Sequence, residues 1–409
     1  MKSFVDWLNF ANFAHITFSM CIWRFKINFM EQKVFITKTA SFFPNMPVCN
    51  DEMEDYLGLI GGKKSRVRSV ILRQNGIKSR YYALDKEQNI THSNAEMAAL
   101  SIKKMLPDEK QRAMVQVLAC GTSTPDMMLP SQASMVHGAA FDHPMEIYSL
   151  AGVCMTSIAA LKTAFMSIMS GNSSNAVCST SELVSPVLLS KFFNEEYNSL
   201  KKIEENPIIA FNKDFLRFML SDGAACCYLE KEMSGEMSLE INWIETISFA
   251  NQYPACMYMW GEYNESGRLK SWKEFDGKEM GEKSVWCIKQ NVKLLNEVVI
   301  PLFVDAIEIA FKKHNVSPEV IDYVIPHISS MYFYNVLAKE IDSRGIDMKT
   351  DKWFTNLTTV GNIGSVSIFA GLDELVHSGR LIDGNKILLL VPESGRFTYG
   401  VVLLTVKYA

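Results

Sequence analysis

The chain has 409 residues and a formal net charge of −4, with 48% hydrophobic and 21% charged residues. This length allows two domains or one large domain with an internal repeat, and the composition is typical of a folded globular protein. The acidic balance argues against nucleic-acid binding, which normally requires an excess of Lys and Arg.

The first 29 residues differ from the rest of the chain. Residues 7–20 are rich in aromatics, but Asn9, Asn12 and His15 interrupt them, so the run falls short of the ~18 apolar residues of a membrane-spanning helix. As a signal peptide it would have only Lys2 as a basic start, offset by Asp6, and no clear small-residue cleavage site. We expect residues 1–29 to be an extension outside the fold, with no membrane span; a peripheral membrane anchor is the alternative.

From Lys33 onward, short apolar segments alternate with helical patterns. The predicted strands are 34–37, 114–119, 145–150, 175–178, 226–229, 324–326, 387–391 and 401–406. The predicted helices include 94–105, where Ser93 and Glu96 have capping-box spacing, and 289–313. This alternation is typical of an α/β fold whose sheet is covered by helices on both faces.

Two kinds of irregular segment interrupt this pattern. Residues 61–68 and 75–81 carry a run of positive charge, which predicts either a solvated surface or a docking face for an acidic carrier. Residues 186–218 and 249–286 are long and rich in aromatics and methionines. Loops of this length are usually functional, and here they predict a pocket lid or a subunit interface.

The nine cysteines form no C-x-x-C pair, which favours a reducing, cytoplasmic setting. The histidines form no H-E-x-x-H motif, and one Glu-x-x-His pair, Glu374 and His377, stands alone. We therefore expect no metal site and no cofactor.

Cys154 is the first candidate for catalysis. It follows a predicted strand and the pair Gly152-Val153, and it precedes small and apolar residues at helical spacing. The start of a helix favours a thiolate over a thiol, and a thiolate can accept an acyl group from a thioester. The alternative is a small cysteine that fills a gap in the core.

His327 and Asn362 also follow predicted strands or turns. His327 precedes a predicted helix start, which disfavours its protonation. Asn362 precedes a helix with small residues, a layout that matches the surroundings of Cys154 and suggests an internal repeat. A neutral imidazole and an amide can bind an oxygen that gains negative charge. The alternatives are a core histidine and a loop-capping amide.

In combination and order, these motifs resemble the thiolase-fold condensing enzymes of the β-ketoacyl-acyl-carrier-protein synthase III type. The matching segments are 75–80, 124–126 with 129–131, 151–154, 221–225, 324–327, 360–362 and 397–400. The resemblance implies an α/β thiolase fold, five-layered αβαβα, built from two pseudo-repeated halves that we place at residues 30–235 and 236–409. It also implies a homodimer.

The resemblance further implies the roles of individual residues. Cys154 would be the nucleophile, and His327 and Asn362 would stabilise the enolate. The backbone N–H groups of Cys154 and Arg396 would form the oxyanion hole. The substrates would be acyl thioesters linked to acyl carrier protein or to coenzyme A.

Several features look more like the ketosynthase/cyclases of dialkylresorcinol and isopropylstilbene biosynthesis. These are the longer aromatic segments, the segments 89–94 and 118–123, and Glu182 at the end of a strand. Ring closure needs a base beyond Cys154, His327 and Asn362, and Glu182 is the candidate; a structural carboxylate is the alternative. The other possible functions are a simple synthase that makes a linear product and a non-catalytic partner subunit.

Overall fold

The computed structural model describes residues 32–194 and 214–409. The predicted extension at residues 1–29 and part of the first aromatic segment lie outside these ranges. The strands are β1 Phe35–Phe42, β2 Val48–Cys49, β3 Ser79–Arg80, β4 Val117–Thr122, β5 Glu146–Ala151, β6 Asn175–Glu182, β7 Gly223–Glu230, β8 Met237–Ser248, β9 Met257–Tyr258, β10 Gly261–Tyr263, β11 Leu269–Ser271, β12 Lys289–Gln290, β13 Tyr323–Pro326, β14 Lys386–Glu393 and β15 Thr398–Tyr408. The helices are α1 Met53–Leu57, α2 Arg68–Asn75, α3 Asn94–Met105, α4 Glu109–Arg112, α5 Gln132–Ala140, α6 Thr156–Met169, α7 Gly277–Glu282, α8 Val292–His314, α9 Met331–Ser343, α10 Leu357–Val360 and α11 Ser367–Val376.

Nine strands form one continuous mixed sheet in the order β13-β14-β15-β8-β1-β7-β6-β4-β5. It consists of two halves that meet where β1 pairs with β8, at Phe35 with Glu240 and Ile36 with Leu239. Within the halves, β4 runs parallel to β5 and β6, and β13 runs parallel to β14. The predicted boundary between residues 235 and 236 falls in the turn between β7 and β8.

Three apolar cores separate the layers. One lies between the N-terminal half-sheet and the outer helices α3 and α5, where Ala98, Ile102 and Val136 are buried. The central core packs α6 and α11 against the two half-sheets, and a third lies under α8 and α9. The succession is helix, sheet, helix, sheet, helix, which confirms the predicted fold class.

Local sequence signals explain the boundaries of several elements. At the start of α3, the Ser93 hydroxyl accepts the N–H of Glu96, and the Glu96 carboxylate accepts the N–H of Ser93, as the spacing predicts. The strand predicted at 114–119 begins only at Val117. The reason is the short helix α4, which was not predicted: the backbone N–H groups of Met114 and Val115 donate to the carbonyl oxygens of Gln111 and Arg112 at its end.

Two glycines allow α6 to lie deep between the half-sheets. A Cβ atom at Gly121 on β4 would lie 2.5 Å from the carbonyl oxygen of Thr156. A Cβ atom at Gly400 on β15 would lie 2.8 Å from the sulfur of Met155 and 3.0 Å from Ile158. The first turn of α6, and Cys154 just before it, therefore have a fixed depth in the fold.

Strand β5 forms one edge of the large sheet. Its residues are all exposed or half-buried, and it pairs with β4 on one side within the described ranges. Nearby, the loop between β4 and α5 exposes apolar side chains, with Leu129 85% and Met128 67% accessible. An open edge of this kind is a template for pairing with another strand.

Candidate active site

The catalytic candidates of the sequence meet in one cavity of about 280 Å³. Cys154, Glu182, His327 and Asn362 all line it. The rest of the lining is mostly apolar, and its larger apolar side chains include Leu216, Met219, Leu220, Met257, Tyr258, Met259, Ile288, Leu295, Val299, Ile300, Phe303 and Phe333. The cavity therefore combines a small polar region with a larger surface suited to hydrocarbon.

Cys154 lies between β5 and α6, two residues before the first residue of α6. Its side chain is buried, and burial raises the pKa of its thiol well above the usual range, with the carboxylates of Glu393 and Glu182 adding to the shift. The expectation of a resting thiolate at a helix start is therefore wrong, because desolvation exceeds the effect of the helix. A neutral thiol must lose its proton as it attacks.

His327 follows β13, and its backbone N–H donates to the carbonyl oxygen of Leu390 on β14 at 2.7 Å. The imidazole is buried, which lowers its pKa to about 4, so the ring is neutral at pH 7. The sequence also predicted a neutral ring, but it attributed the disfavoured protonation to a helix start. Helix α9 begins only at Met331, with Ser330 as its cap. The pKa of His327 is lowered by burial of the ring.

Asn362 is fixed by its backbone. Its backbone N–H donates to the carbonyl oxygen of Met219 at 3.0 Å, and its backbone carbonyl oxygen accepts the N–H of Ser221 at 2.9 Å. The side-chain oxygen accepts the backbone N–H of Gly364 at 3.1 Å, and Asn362 lines the cavity. The preceding Gly361 has φ +76°, and a Cβ atom there would lie 2.9 Å from Cβ of Arg80.

Glu182 is the last residue of β6, as predicted, and its carboxylate is buried. Hydroxyls of Ser123, Thr124 and Ser365 donate to it at 2.6, 2.8 and 2.6 Å. Burial raises the pKa of Glu182, although these hydrogen bonds act in the opposite direction. Because Ser365 belongs to the C-terminal half, the carboxylate connects the two halves beside the cavity.

Arg396 does not occupy the place predicted for an oxyanion-hole residue. Its side chain is exposed, its Nε donates to the carbonyl oxygen of Tyr253 at 3.0 Å, and the residue does not line the cavity. The physical reason lies in the neighbouring Glu393.

The Glu393 carboxylate turns back into the loop between β14 and β15. It accepts the N–H groups of Gly395 at 2.8 Å and Thr398 at 3.2 Å. Burial raises the pKa of Glu393, while the N–H groups of Thr398, Gly395 and Arg396 lower it. The amide of Arg396 therefore serves this carboxylate, and Ser394 is the loop residue that reaches the cavity.

The arrangement suits acyl transfer. A thiol, a neutral imidazole and a side-chain amide, all buried, line one largely apolar cavity, where hydrogen bonds to a developing oxyanion are strong. Residues 32–194 and 214–409 contain no cluster of His, Cys, Asp and Glu that could bind a metal ion. In the same ranges, no helix has the length and apolar character needed to cross a bilayer.

Comparison with known proteins agrees with this geometry. Residues 311–406, which include His327 and Asn362, match the family described as 3-oxoacyl-[acyl-carrier-protein (ACP)] synthase III C terminal. The β-ketoacyl-[acyl-carrier-protein] synthase III of Clostridium novyi is 24% identical over 372 residues, which cover 90% of this chain and 98% of the relative. The corresponding enzyme of Neisseria gonorrhoeae is 25% identical over 376 residues, with the same coverage.

Solved structures show the same fold. The tetronic acid condensing enzyme AbyA1 has a TM-score of 0.71 at 16% identity, covering 91% of this chain and 99% of its own. OleA of Xanthomonas campestris with bound lauric acid and lauroyl-CoA has a TM-score of 0.69 at 19% identity, with the same coverage. Over about nine-tenths of its length the chain is therefore similar to β-ketoacyl-[acyl-carrier-protein] synthase III enzymes, and it has the thiolase fold of the solved condensing enzymes.

Proposed function

We propose that the protein is a ketosynthase/cyclase that joins a β-ketoacyl thioester to an α,β-unsaturated acyl thioester and closes a cyclohexanedione-type ring. The observation that carries this proposal is the position of Glu182 in the same cavity as Cys154, His327 and Asn362. A carboxylate there supplies a base that a single linear condensation does not need.

The reaction begins with transfer of the unsaturated acyl group to Cys154. The thiol sulfur attacks the thioester carbonyl, its proton passes to the imidazole of His327, and the carrier thiol leaves with that proton. The backbone N–H of Cys154 is our proposed donor to the carbonyl oxygen during this step. The result is an acyl group on Cys154 and a free carrier thiol.

Two carbon–carbon bonds then close the ring, in either order. The carbon between the two carbonyls of the β-ketoacyl group adds to the β-carbon of the unsaturated chain, a Michael addition without a leaving group. The carbon on the far side of the ketone attacks the acyl carbonyl on Cys154, and the thiol leaves in a Claisen-type step. In each step His327 and Asn362 hold the enolate oxygen, and Glu182 takes one carbon-bound proton. That proton goes to the α-carbon of the unsaturated chain in the Michael addition and to the sulfur of Cys154 in the Claisen-type step, and the ring remains on its carrier through the thioester of the β-ketoacyl unit.

The raised pKa of Glu182 supports this role, because a carboxylate that holds a proton more tightly is a stronger base. The three hydroxyl donors keep it in one orientation. They also support the alternative of a carboxylate that only fastens the two halves together, so the test must separate these two roles.

A linear β-ketoacyl synthase is the second candidate, and the names of the relatives favour it. A non-catalytic partner subunit is less favoured, because such a subunit has no need to keep a thiol, an imidazole and an amide in one cavity.

Intact-protein mass spectrometry, after incubation with α,β-unsaturated acyl-carrier and β-ketoacyl-carrier, tests the proposal. We expect one acyl adduct that Cys154→Ala abolishes and that Cys49→Ala, a change at an exposed thiol, preserves. No adduct on Cys154 would exclude both enzyme readings. A linear product from the wild type would exclude the cyclase and leave the synthase.

Glu182→Gln tests the base. We expect the variant to form the Cys154 adduct, which reports an intact fold, but to release little ring product. Ring closure at the wild-type rate in this variant would exclude Glu182 as the base.

A further inference from the structure

Two polar side chains interrupt the apolar wall of the cavity where β9, β12 and the loop before β15 form it. Gln290 and Ser394 both line the cavity, and neither takes part in the proposed bond-forming steps. We propose that these two residues bind the second oxygen of a β-dicarbonyl unit, and so select a β-ketoacyl thioester over a plain acyl thioester. We call Gln290 and Ser394 the donor pair.

Both members of the donor pair are directed at a weak acceptor. Nε2 of Gln290 and Oγ of Ser394 each lie 3.8 Å from the thioether sulfur of Met257, which also lines the cavity. A thioether sulfur accepts hydrogen bonds only weakly, whereas a carbonyl oxygen accepts them well. The donor pair therefore loses little when it turns from the sulfur to a ligand.

The amide of Gln290 also has an unsatisfied end. Its Oε1 is buried and has no hydrogen-bond donor among the residues that the structure describes. A buried acceptor without a partner costs free energy, and a ligand that brings a donor recovers it. A β-dicarbonyl unit offers both kinds of partner, because its enol form carries an O–H group beside a carbonyl oxygen.

The backbone fixes the donor pair in the empty cavity. Gln290 on β12 lies directly opposite Met257 on β9 in a two-stranded sheet. The carbonyl oxygen of Gly395, next to Ser394, accepts the backbone N–H groups of Cys256 at 2.7 Å and of Met257 at 3.3 Å. Because the donors are held in place before a ligand arrives, binding pays less ordering entropy.

The donor pair lies on the side of the cavity next to the nucleophile. A Cβ atom at Gly395 would lie 2.9 Å from Cγ2 of Val153, so the backbone beside Ser394 touches the residue before Cys154. In the proposed reaction the β-ketoacyl unit lies beside the acyl group on Cys154, since one of its carbons attacks that group. Both carbonyl oxygens of the unit must then be accommodated in this part of the cavity.

The two oxygens of the β-dicarbonyl unit need two binding positions. His327 and Asn362 hold one oxygen as the enolate, and the other would lie against apolar wall, where an unpaired carbonyl oxygen costs free energy. The donor pair supplies the missing hydrogen bonds. A plain acyl thioester has only one carbonyl oxygen and gains nothing from them. This inference rests on the proposed function, which makes a β-ketoacyl thioester the second substrate.

The experiment measures dissociation constants by calorimetry for 3-oxooctanoyl-N-acetylcysteamine and octanoyl-N-acetylcysteamine. These ligands share the thioester, the amide and the chain length, and they differ by one ketone. All proteins carry Cys154→Ala, so that no acyl transfer occurs. The test variant adds Gln290→Met/Ser394→Ala, which removes both donors. The matched control adds Met259→Leu, a volume-conserving change at an apolar residue that lines the same cavity.

We expect the Cys154→Ala protein and the control to bind the ketone ligand about tenfold more tightly than the plain ligand. In the test variant the two ligands should bind about equally, because the ketone then has no donor and must still leave water. Unchanged affinity for the plain ligand in the test variant shows that the cavity is intact.

Three results would overturn the role of the donor pair: no preference for the ketone ligand in the Cys154→Ala protein, a preference that persists in the test variant, or an equal loss of affinity for both ligands. The last result would mean that the pair shapes the cavity or binds the thioester arm. Ring closure is measured separately. If the wild type makes only a linear product while the ketone preference depends on the pair, the proposed function fails and the binding site stands. If rings form and the preference does not depend on the pair, the binding site alone fails.

Discussion

Asp222 predicts how the stability of the protein depends on pH. The carboxylate is buried and accepts the N–H groups of Ala83, Val184 and Ser185 at 2.8, 2.7 and 2.9 Å. It also accepts the hydroxyl of Ser185. Burial nevertheless dominates and raises the pKa of Asp222 from its ordinary value of 3.8 to about 6.

The sign follows from the direction of this shift. Well below pH 3.8 the group is protonated in both the folded and the unfolded chain, so it does not make the free energy of unfolding depend on pH there. As the pH rises toward 6, the unfolded chain ionises first, and the free energy of unfolding falls until the folded state ionises too. At about 1.4 kcal/mol per pH unit, the interval from 3.8 to about 6 amounts to about 3 kcal/mol.

The measurement is denaturant unfolding of the wild type and Asp222→Asn between pH 4 and pH 8. The variant loses a carboxylate oxygen that accepts backbone N–H groups, so its stability at pH 4 should be the lower of the two by about 1–3 kcal/mol. Toward pH 7 the wild type should lose about 3 kcal/mol relative to the variant, so that the two curves approach each other. Curves that stay parallel across this range would refute the argument.

Two further predictions concern the site and the assembly. Because burial lowers the pKa of His327 to about 4, the rate of Cys154 acylation should stay on a plateau down to about pH 5, measured by mass spectrometry at short times; half-loss at pH 6.5 would contradict this. We also expect the open edge of β5 to pair with a second copy. Light scattering should find a dimer that Tyr148→Lys, at an exposed position on that strand, converts to monomer, whereas a monomeric wild type would contradict the pairing.

The sequence could locate Cys154, His327 and Asn362 because each follows a strand or turn, and strand ends on a packed sheet converge. It could also place Glu182 at the end of β6. It could not find what holds Glu182, since Ser365 is 183 residues away along the chain and Ser123 is 59 away. Contacts of this range follow from how the two halves pack, which no local pattern encodes.

The predictions that proved wrong concern groups whose chemistry depends on how deeply they are buried. A helix start near Cys154 predicts a thiolate, yet the depth of the cavity raises the thiol pKa. A backbone amide in the loop before β15 predicts an oxyanion donor, yet Glu393 folds back and takes the N–H of Gly395. For Cys154 the cause is burial of the thiol by tertiary packing, whereas for the loop it is Glu393, only two residues before Gly395, whose carboxylate turns toward its own loop.

The close contacts at Gly121 and Gly400 imply that the reactive centre depends on two positions that contribute no side-chain atom. Neither residue lines the cavity, so a survey of substrate contacts would pass over both. A methyl group at either would push against α6 from one of the two half-sheets and displace Cys154 relative to His327 and Asn362. In a library of random variants, we therefore expect these two sites to tolerate as little change as the reacting residues, with loss of activity preceding loss of the fold.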